Sequence, residues 1–137
     1  MIQIVKDSDT RPWFFLQTAH TTYGIRVMET VHLEHLYYGE RITVDLQDPS
    51  SCAPLVIQRA FAPGNTCTYD REHPQISMED VCLEVGTLGK GDIREPFLEV
   101  RFADGSVTTD FTFDSYEVIT LKEREQCLQD SGLPHSY

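Results

Sequence analysis

An all-β domain, built as an antiparallel β-sandwich, is the fold class the sequence predicts, and three observations carry it. Apolar segments alternate with period two, turn residues separate them at short intervals, and one long alternating run reverses its parity partway along. That run is Gly89 to Ile119. Leu98, Val100 and Phe102 alternate with Glu99 and Arg101, and Ala103-Asp104-Gly105-Ser106 supplies a turn whose glycine can take a positive φ. The return arm sets Val107, Thr109, Phe111 and Phe113 against Thr108, Asp110, Thr112 and Asp114. Tyr116 and Val118 then fall on the face that Asp114 had occupied, which predicts a bulge or a change of sheet near Asp114-Ser115.

The remaining elements follow in order. Ile2 to Val5 and Trp13 to Gln17 read as strands separated by Asp7-Ser8-Asp9-Thr10 and Pro12. Tyr23, Ile25 and Val27 alternate with Gly24, Arg26 and Met28 in a third. His32 to Gly39 forms a fourth with apolar residues on both faces, as a strand inside a layered structure has. Residues 43–75 differ in kind: they hold four of the seven prolines and no sustained alternation, so a long loop is expected, with short strands at Leu55-Val56-Ile57 and around Thr66-Cys67-Thr68. The run from Gly86 to Gly91 leads into Asp92 and Arg94 and then a strand, so it reads as a turn needing positive φ rather than a phosphate loop. Leu121 to Asp130 carries weak evidence for a helical turn.

The 137 residues suit one domain, and a formal net charge of −11 without any basic run argues against nucleic acid and anionic membranes as partners. No apolar run is long enough to span a bilayer, and the N-terminus lacks the order of a signal peptide, so a cytoplasmic location is expected. Cys52, Cys67, Cys82 and Cys127 are widely spaced and read as free thiols in a reducing compartment.

Catalytic chemistry is hard to build from these residues. His32 and His35 would point to opposite faces of a strand and could not share an ion, so no metal and no cofactor is expected. Asp110 and Asp114, four residues apart on a strand, would stand roughly 13 Å apart. That is wider than the spacings of about 5 Å and about 6.5–9.5 Å used in glycoside hydrolysis. Both read as a solvated face. Asp92, Arg94 and Glu95 read as a local ion-pair network. Trp13, Tyr23, Tyr37, Tyr38, Tyr69 and Tyr116 could stack on sugar rings, although aromatics in a sandwich more often fill its core.

Several segments resemble a known family. Phe15 to Thr18, Thr22-Tyr23 with Arg26-Val27, Leu33 to Gly39, Gly91 to Pro96, Asp104 to Ser106, and Leu133-Pro134 with Tyr137 are similar, in order and spacing, to the N-terminal domain of bacterial α-galactosidases of glycoside hydrolase family 36. The resemblance implies part of a galactose-mutarotase-like β-supersandwich that precedes a (β/α)₈ barrel, where two aspartates perform retaining hydrolysis. It implies that residues 1–137 are a non-catalytic N-terminal domain, incomplete, without the barrel, inactive alone, and made for scaffolding and subunit contact in a homo-oligomer. Its expected partners are its own barrel and α-galactoside sugars. In tetrameric members a loop of this domain reaches a neighbouring sugar pocket, and that loop corresponds to Arg59 to Gln75 here. Arg59, Asp70 and Arg71 are accordingly the substrate-binding candidates, with Gln58 where the family often has Asp. Val31 stands where a glycine is common. A free-standing carbohydrate-binding module, or a structural domain without ligand, are the alternatives.

Overall fold

The structure, a computed structural model, describes residues 1–6, 11–56, 69–78, 81–89, 91–92 and 95–119. Its centre is a four-stranded antiparallel meander: β1 (Ile2–Lys6), β2 (Pro12–Gln17), β3 (Thr21–Val27) and β4 (Leu33–Glu40), each paired with the next. These are the four strands the alternation predicts, with bounds shifted by a residue or two. The all-β class is therefore what the structure shows. The β3–β4 register shifts beside Gly24 and Ile25, because Ile25 opposes His35 while Gly24 opposes Tyr37. Leu36 is the extra residue, and the bulge explains why β4 reads as apolar on both faces.

Register divides the sheet into two faces. One carries Val5, Trp13, Phe15, Gln17, Thr22, Gly24, Arg26 and Glu34, which oppose one another across the ladders. Val5, Trp13, Phe15 and Leu36 pack there with Val44 and Cys52 into the core. Burial of each large apolar side chain stabilises by roughly 1.5–3 kcal/mol. The Phe15 ring lies over Gly24, where an added Cβ would come within 3.1 Å of it. The glycine is thus the space the ring occupies. Arg26 closes the end of this core, with its guanidinium 5.3 Å from the centre of the Trp13 ring and its Nε donating to Glu34 at 2.6 Å.

The chain after β4 folds back over this face. Gln17 is buried, and its Nε2 donates to the carbonyl of Ile42 at 2.8 Å and to the Thr22 hydroxyl at 3.2 Å. Thr22 Oγ1 in turn accepts from the Ile42 amide at 3.1 Å, so two buried polar side chains dock the returning chain with their own needs met. A 3-10 helix, Pro49–Leu55, then brings Cys52 into the core. Asp48 caps it by accepting from the Ser50 amide, and Pro49 opens it. Where a short strand at Leu55-Val56-Ile57 is expected, Leu55 ends this helix and Val56 donates back to Ala53 at 3.1 Å, while Ile57 lies outside the described residues. Pro54 removes a ladder donor there, which favours a helix end over a strand. Burial pushes the Cys52 thiol up, against the Ser51 hydroxyl, which lowers it, and the Asp48 and Asp45 charges add to the rise. Cys52 and Cys82 are free thiols; Cys67 and Cys127 lie outside the described residues.

The opposite face presents Ile2, Ile4, Phe14, Leu16, Tyr23, Ile25 and Leu33. Phe113 and Tyr116 both pack on Phe14, with ring centres 6.1 and 5.0 Å away. Side chains three apart would face opposite ways in a regular strand, and residues 106–119 form no regular strand. The arms of residues 97–119 nevertheless form no ladder with each other among the described residues. Their backbone groups are taken elsewhere: Leu98 donates to Gly86, Phe113 donates to Val31 at 2.7 Å, and the Thr109 carbonyl accepts from the Thr87 hydroxyl at 2.6 Å. Only the turn expected at Ala103–Ser106 is present. Phe102 donates to Ser106, Gly105 takes φ +87°, and the Asp104 carboxylate accepts from the Ser106 amide and hydroxyl. Those bonds hold the Asp104 carboxyl below its usual range.

Residues 82–84 pair with the first part of the free edge of β4, where His35 donates to the Cys82 carbonyl at 2.7 Å and Glu84 to Leu33 at 2.9 Å. That part of the edge no longer offers a template for association. Two short parallel strands follow, β5 (Thr87–Leu88) and β6 (Gly91–Asp92). Gly89 between them takes φ +81°, the positive value expected of this turn. The expected helical turn at 121–130, the short strand at 66–68 and the Arg94 network lie outside the described residues. Among the described residues, no helix is long and apolar enough to cross a membrane.

The β3–β4 turn carries backbone strain. Val31 takes φ +65°, the only positive φ of a non-glycine residue among those described, and its amide donates to Met28 at 3.0 Å. A β-branched residue in this region costs roughly 1–2 kcal/mol, and the added freedom of a glycine in the unfolded chain offsets about half of any relief. Val31→Gly is expected to raise stability by about 0.5–1 kcal/mol, read as a higher urea midpoint with unchanged slope. A lower midpoint would show that the Val31 side chain contributes more than its backbone costs.

Candidate functional site

Immediately after that turn, His32 is buried to 2% exposure, and a buried imidazole needs partners for both nitrogens. Its Nδ1 lies 3.0 Å from the Thr30 hydroxyl, and its Nε2 lies 2.6 Å from Asp110 Oδ1. The other carboxylate oxygen of Asp110 accepts from the Tyr69 hydroxyl at 2.9 Å. The Tyr69 ring completes the cluster edge-on to His32, with centres 4.9 Å apart. Three segments distant in sequence thus meet at one carboxylate. Asp110, expected on a solvated face, is exposed with 30% of its side chain accessible, and it is also the joint of this cluster. The alternation rule places its side chain opposite Phe111, where it meets a buried histidine as well as water.

Tyr69 opens a tightly bonded loop, residues 69–78. Its amide donates to the Ile76 carbonyl at 2.9 Å. Asp70 Oδ1 accepts from the amides of Glu72 at 2.8 Å and His73 at 2.7 Å, and lies 2.9 Å from the His73 ring nitrogen. Desolvation opposes ionisation of Asp70, but those bonds outweigh it and hold the carboxyl below its usual range. Gln75 donates to Glu29 at 3.0 Å, while Ser77 and Met78 are buried. Of the three predicted substrate-binding residues, Asp70 and Arg71 therefore sit together, both exposed. Asp70 is turned back onto its own loop. No ion pair of Arg71 occurs among the described residues. Arg59 lies outside the described residues.

A second cluster stands on the Phe14 side of the sheet. Tyr23 donates to Glu84, with 2.6 and 2.5 Å to its two oxygens, and His35 Nδ1 lies 3.1 Å from the same carboxylate. His32 and His35 therefore serve separate carboxylates. Among the described residues no group of three or more His, Cys, Asp and Glu side chains could hold a metal ion. The aromatics do not form a platform either. Trp13 is in the core, Tyr37 folds over Gly39 and donates to the Glu40 carbonyl, Tyr69 packs on His32 and Tyr116 on Phe14. Tyr38, 71% exposed, presents its ring to solvent beside Tyr23, and Tyr116 is 43% exposed at the edge of Phe14.

Comparison with known proteins agrees with this architecture. Residues 31–137 match the glycosyl hydrolase family 36 N-terminal domain. The chain belongs to that family. It is 34% identical over 122 residues to the bifunctional α-galactosidase/sucrose kinase AgaSK of Mediterraneibacter gnavus, which covers 88% of this chain and 12% of that protein. It is 27% identical over 124 residues to the α-galactosidase AgaA of Geobacillus stearothermophilus, covering 90% of this chain and 15% of the other. The crystal structure of the α-galactosidase from Lactobacillus brevis superposes with a TM-score of 0.66 at 32% identity, over 80% of this chain and 14% of that one. The chain thus spans well under a fifth of the relatives it matches. His32, Tyr69 and Asp110 all lie within the matched stretch.

Sequence reasoning missed this cluster because its members are 41 and 78 residues apart and no local pattern joins them. Its clearest consequence is electrostatic. The Tyr69 phenol, like that of Tyr23, is pushed up from 10.0 to about 12, first by desolvation and then by its hydrogen bond to a carboxylate. Each proton is held more tightly in the folded state than in the unfolded one. These contacts therefore contribute fully below the unfolded value of 10.0 and are lost as pH rises through about 12. A fall in the urea midpoint across that window, tracking tyrosinate absorbance, is expected, and Tyr69→Phe should reduce its amplitude. Ionisation of both phenols at the ordinary value would contradict the bonding described.

Proposed function

We propose that the chain is the N-terminal, non-catalytic domain of an α-galactosidase-like glycoside hydrolase. It scaffolds a catalytic barrel, contributes to contact between subunits, and extends the loop that includes Arg71 towards a sugar pocket. The family match and the α-galactosidases among its relatives support the first part. The loop carries the second. An exposed guanidinium without an ion pair among the described residues, on a segment held by the bonds of Tyr69 and Asp70, offers donors in a fixed fork to sugar hydroxyls. Asp70, whose carboxylate already accepts three bonds, serves this role by shaping the loop.

Arg71→Ala in the full-length enzyme is the test. Loss of a charge-assisted hydrogen bond costs roughly 1.5–3 kcal/mol, so KM for an aryl α-galactoside should rise about tenfold or more while the melting transition stays put. Unchanged kinetics would return Arg71 to an ordinary solvated side chain. The 137-residue chain alone is expected not to hydrolyse the same substrate above buffer, and activity abolished by a substitution within it would refute the non-catalytic reading.

A further inference from the structure

We infer that His32, Asp110 and Tyr69 are positioning residues that latch the Arg71-bearing loop to the central sheet, so that the site proposed above depends on a carboxylate remote from it in sequence. His32 is fixed first, because it follows the β3–β4 turn and is buried against Thr30. It orients one oxygen of Asp110 at 2.6 Å, which leaves the other aimed at the Tyr69 hydroxyl 2.9 Å away. Tyr69 stands one peptide before Asp70 and two before Arg71, so its ring sets where the loop leaves the body of the domain. The edge-on contact with His32 restrains the same ring sideways. Beyond Tyr69 the bonds of Asp70 and His73 are internal to the loop, and they fix its shape without fixing its place. The far end of the loop is held by burial of Ser77 and Met78, and the exposed Gln75–Glu29 bond adds only a weak tie, so the Arg71 end depends on Tyr69.

The inference rests on the proposed role of Arg71, and two readouts on the full-length protein separate them. The first is hydrogen exchange by mass spectrometry. Tyr69→Phe keeps the ring and deletes one hydroxyl, so exchange in peptides covering 69–78 should quicken about tenfold, the equivalent of one hydrogen bond, while β2 and β3 keep their protection. Asp110→Ala should do the same or more, and Asp110→Asn, which can accept from one partner and donate to the other, should restore most of the protection. No change in the loop would overturn the latch. So would equal quickening in β2 and β3, which marks general loosening. The second readout is kinetic: Tyr69→Phe should raise KM for an aryl α-galactoside with kcat retained, and should add little to Arg71→Ala. Additive effects would overturn coupling through the loop. Quickened loop exchange with KM untouched even by Arg71→Ala would support the latch and refute the pocket role of Arg71 instead.

Discussion

Burying an imidazole beside a carboxylate is the constraint on which much of this structure depends. An unpaired polar group inside a protein costs on the order of 1–3 kcal/mol, and more when it is charged. His32 avoids this only if Thr30 and Asp110 are both in place. Asp110 reaches it only if the 106–119 segment lies across the β3–β4 end of the sheet, where Phe113 donates to the strained Val31. The strained turn, the buried ring and the returning segment are thus mutually conditional. Removing the carboxylate alone would leave the ring unsatisfied, which is why the arrangement acts as a unit rather than as three separable bonds.

The same logic explains how one sheet serves two layers. On the Trp13 face the polar residues Gln17, Thr22, Arg26 and Glu34 bond one another or the returning backbone, so the apolar core between them stays closed. The Phe14 face has one polar cluster, Tyr23 and His35 on Glu84, and is otherwise covered by aromatic contact from Phe113 and Tyr116. A groove of about 270 Å³, lined by residues such as Ile2, Leu16, Ile25 and Val118, remains along it. Its lining is almost entirely aliphatic and aromatic, which suits apolar packing and offers little to sugar hydroxyls.

Strands β1 to β4 were legible in the sequence because alternation is a local signal and the turns between them are short. The positive φ at Gly89 and Gly105 was legible for the same reason. The hairpin pairing of 98–102 with 107–113 was not. Period two reports that a segment is extended, and says nothing about which backbone takes its hydrogen bonds. Here Gly86, Thr87 and Val31 take them. The 3-10 helix was hidden because a short helix with proline at both ends has no periodicity to read. Asp110 is exposed, as a carboxylate opposite an apolar row is expected to be, but its bond to His32 was not legible because that partner is 78 residues away.

Asp70 and Arg71 are adjacent and both exposed, but their bonding differs: Asp70 is bonded within its own loop, while Arg71 has no ion pair among the described residues. Asp70 spends its acceptors on the amides of Glu72 and His73, which restricts the backbone on both sides of Arg71. Fixing a residue's backbone costs roughly 1–2 kcal/mol of conformational entropy. A loop that meets this cost during folding need not meet it again when a ligand arrives, so preorganisation raises affinity without any new contact. An exposed arginine on an unordered loop would contribute far less, because the ordering penalty rivals the strength of its hydrogen bonds. In a molecule of net charge −11, a guanidinium held this way is also a scarce local positive charge. The order imposed by Asp70, and transmitted to the sheet through Tyr69, is therefore as much a part of the proposed site as the guanidinium it presents.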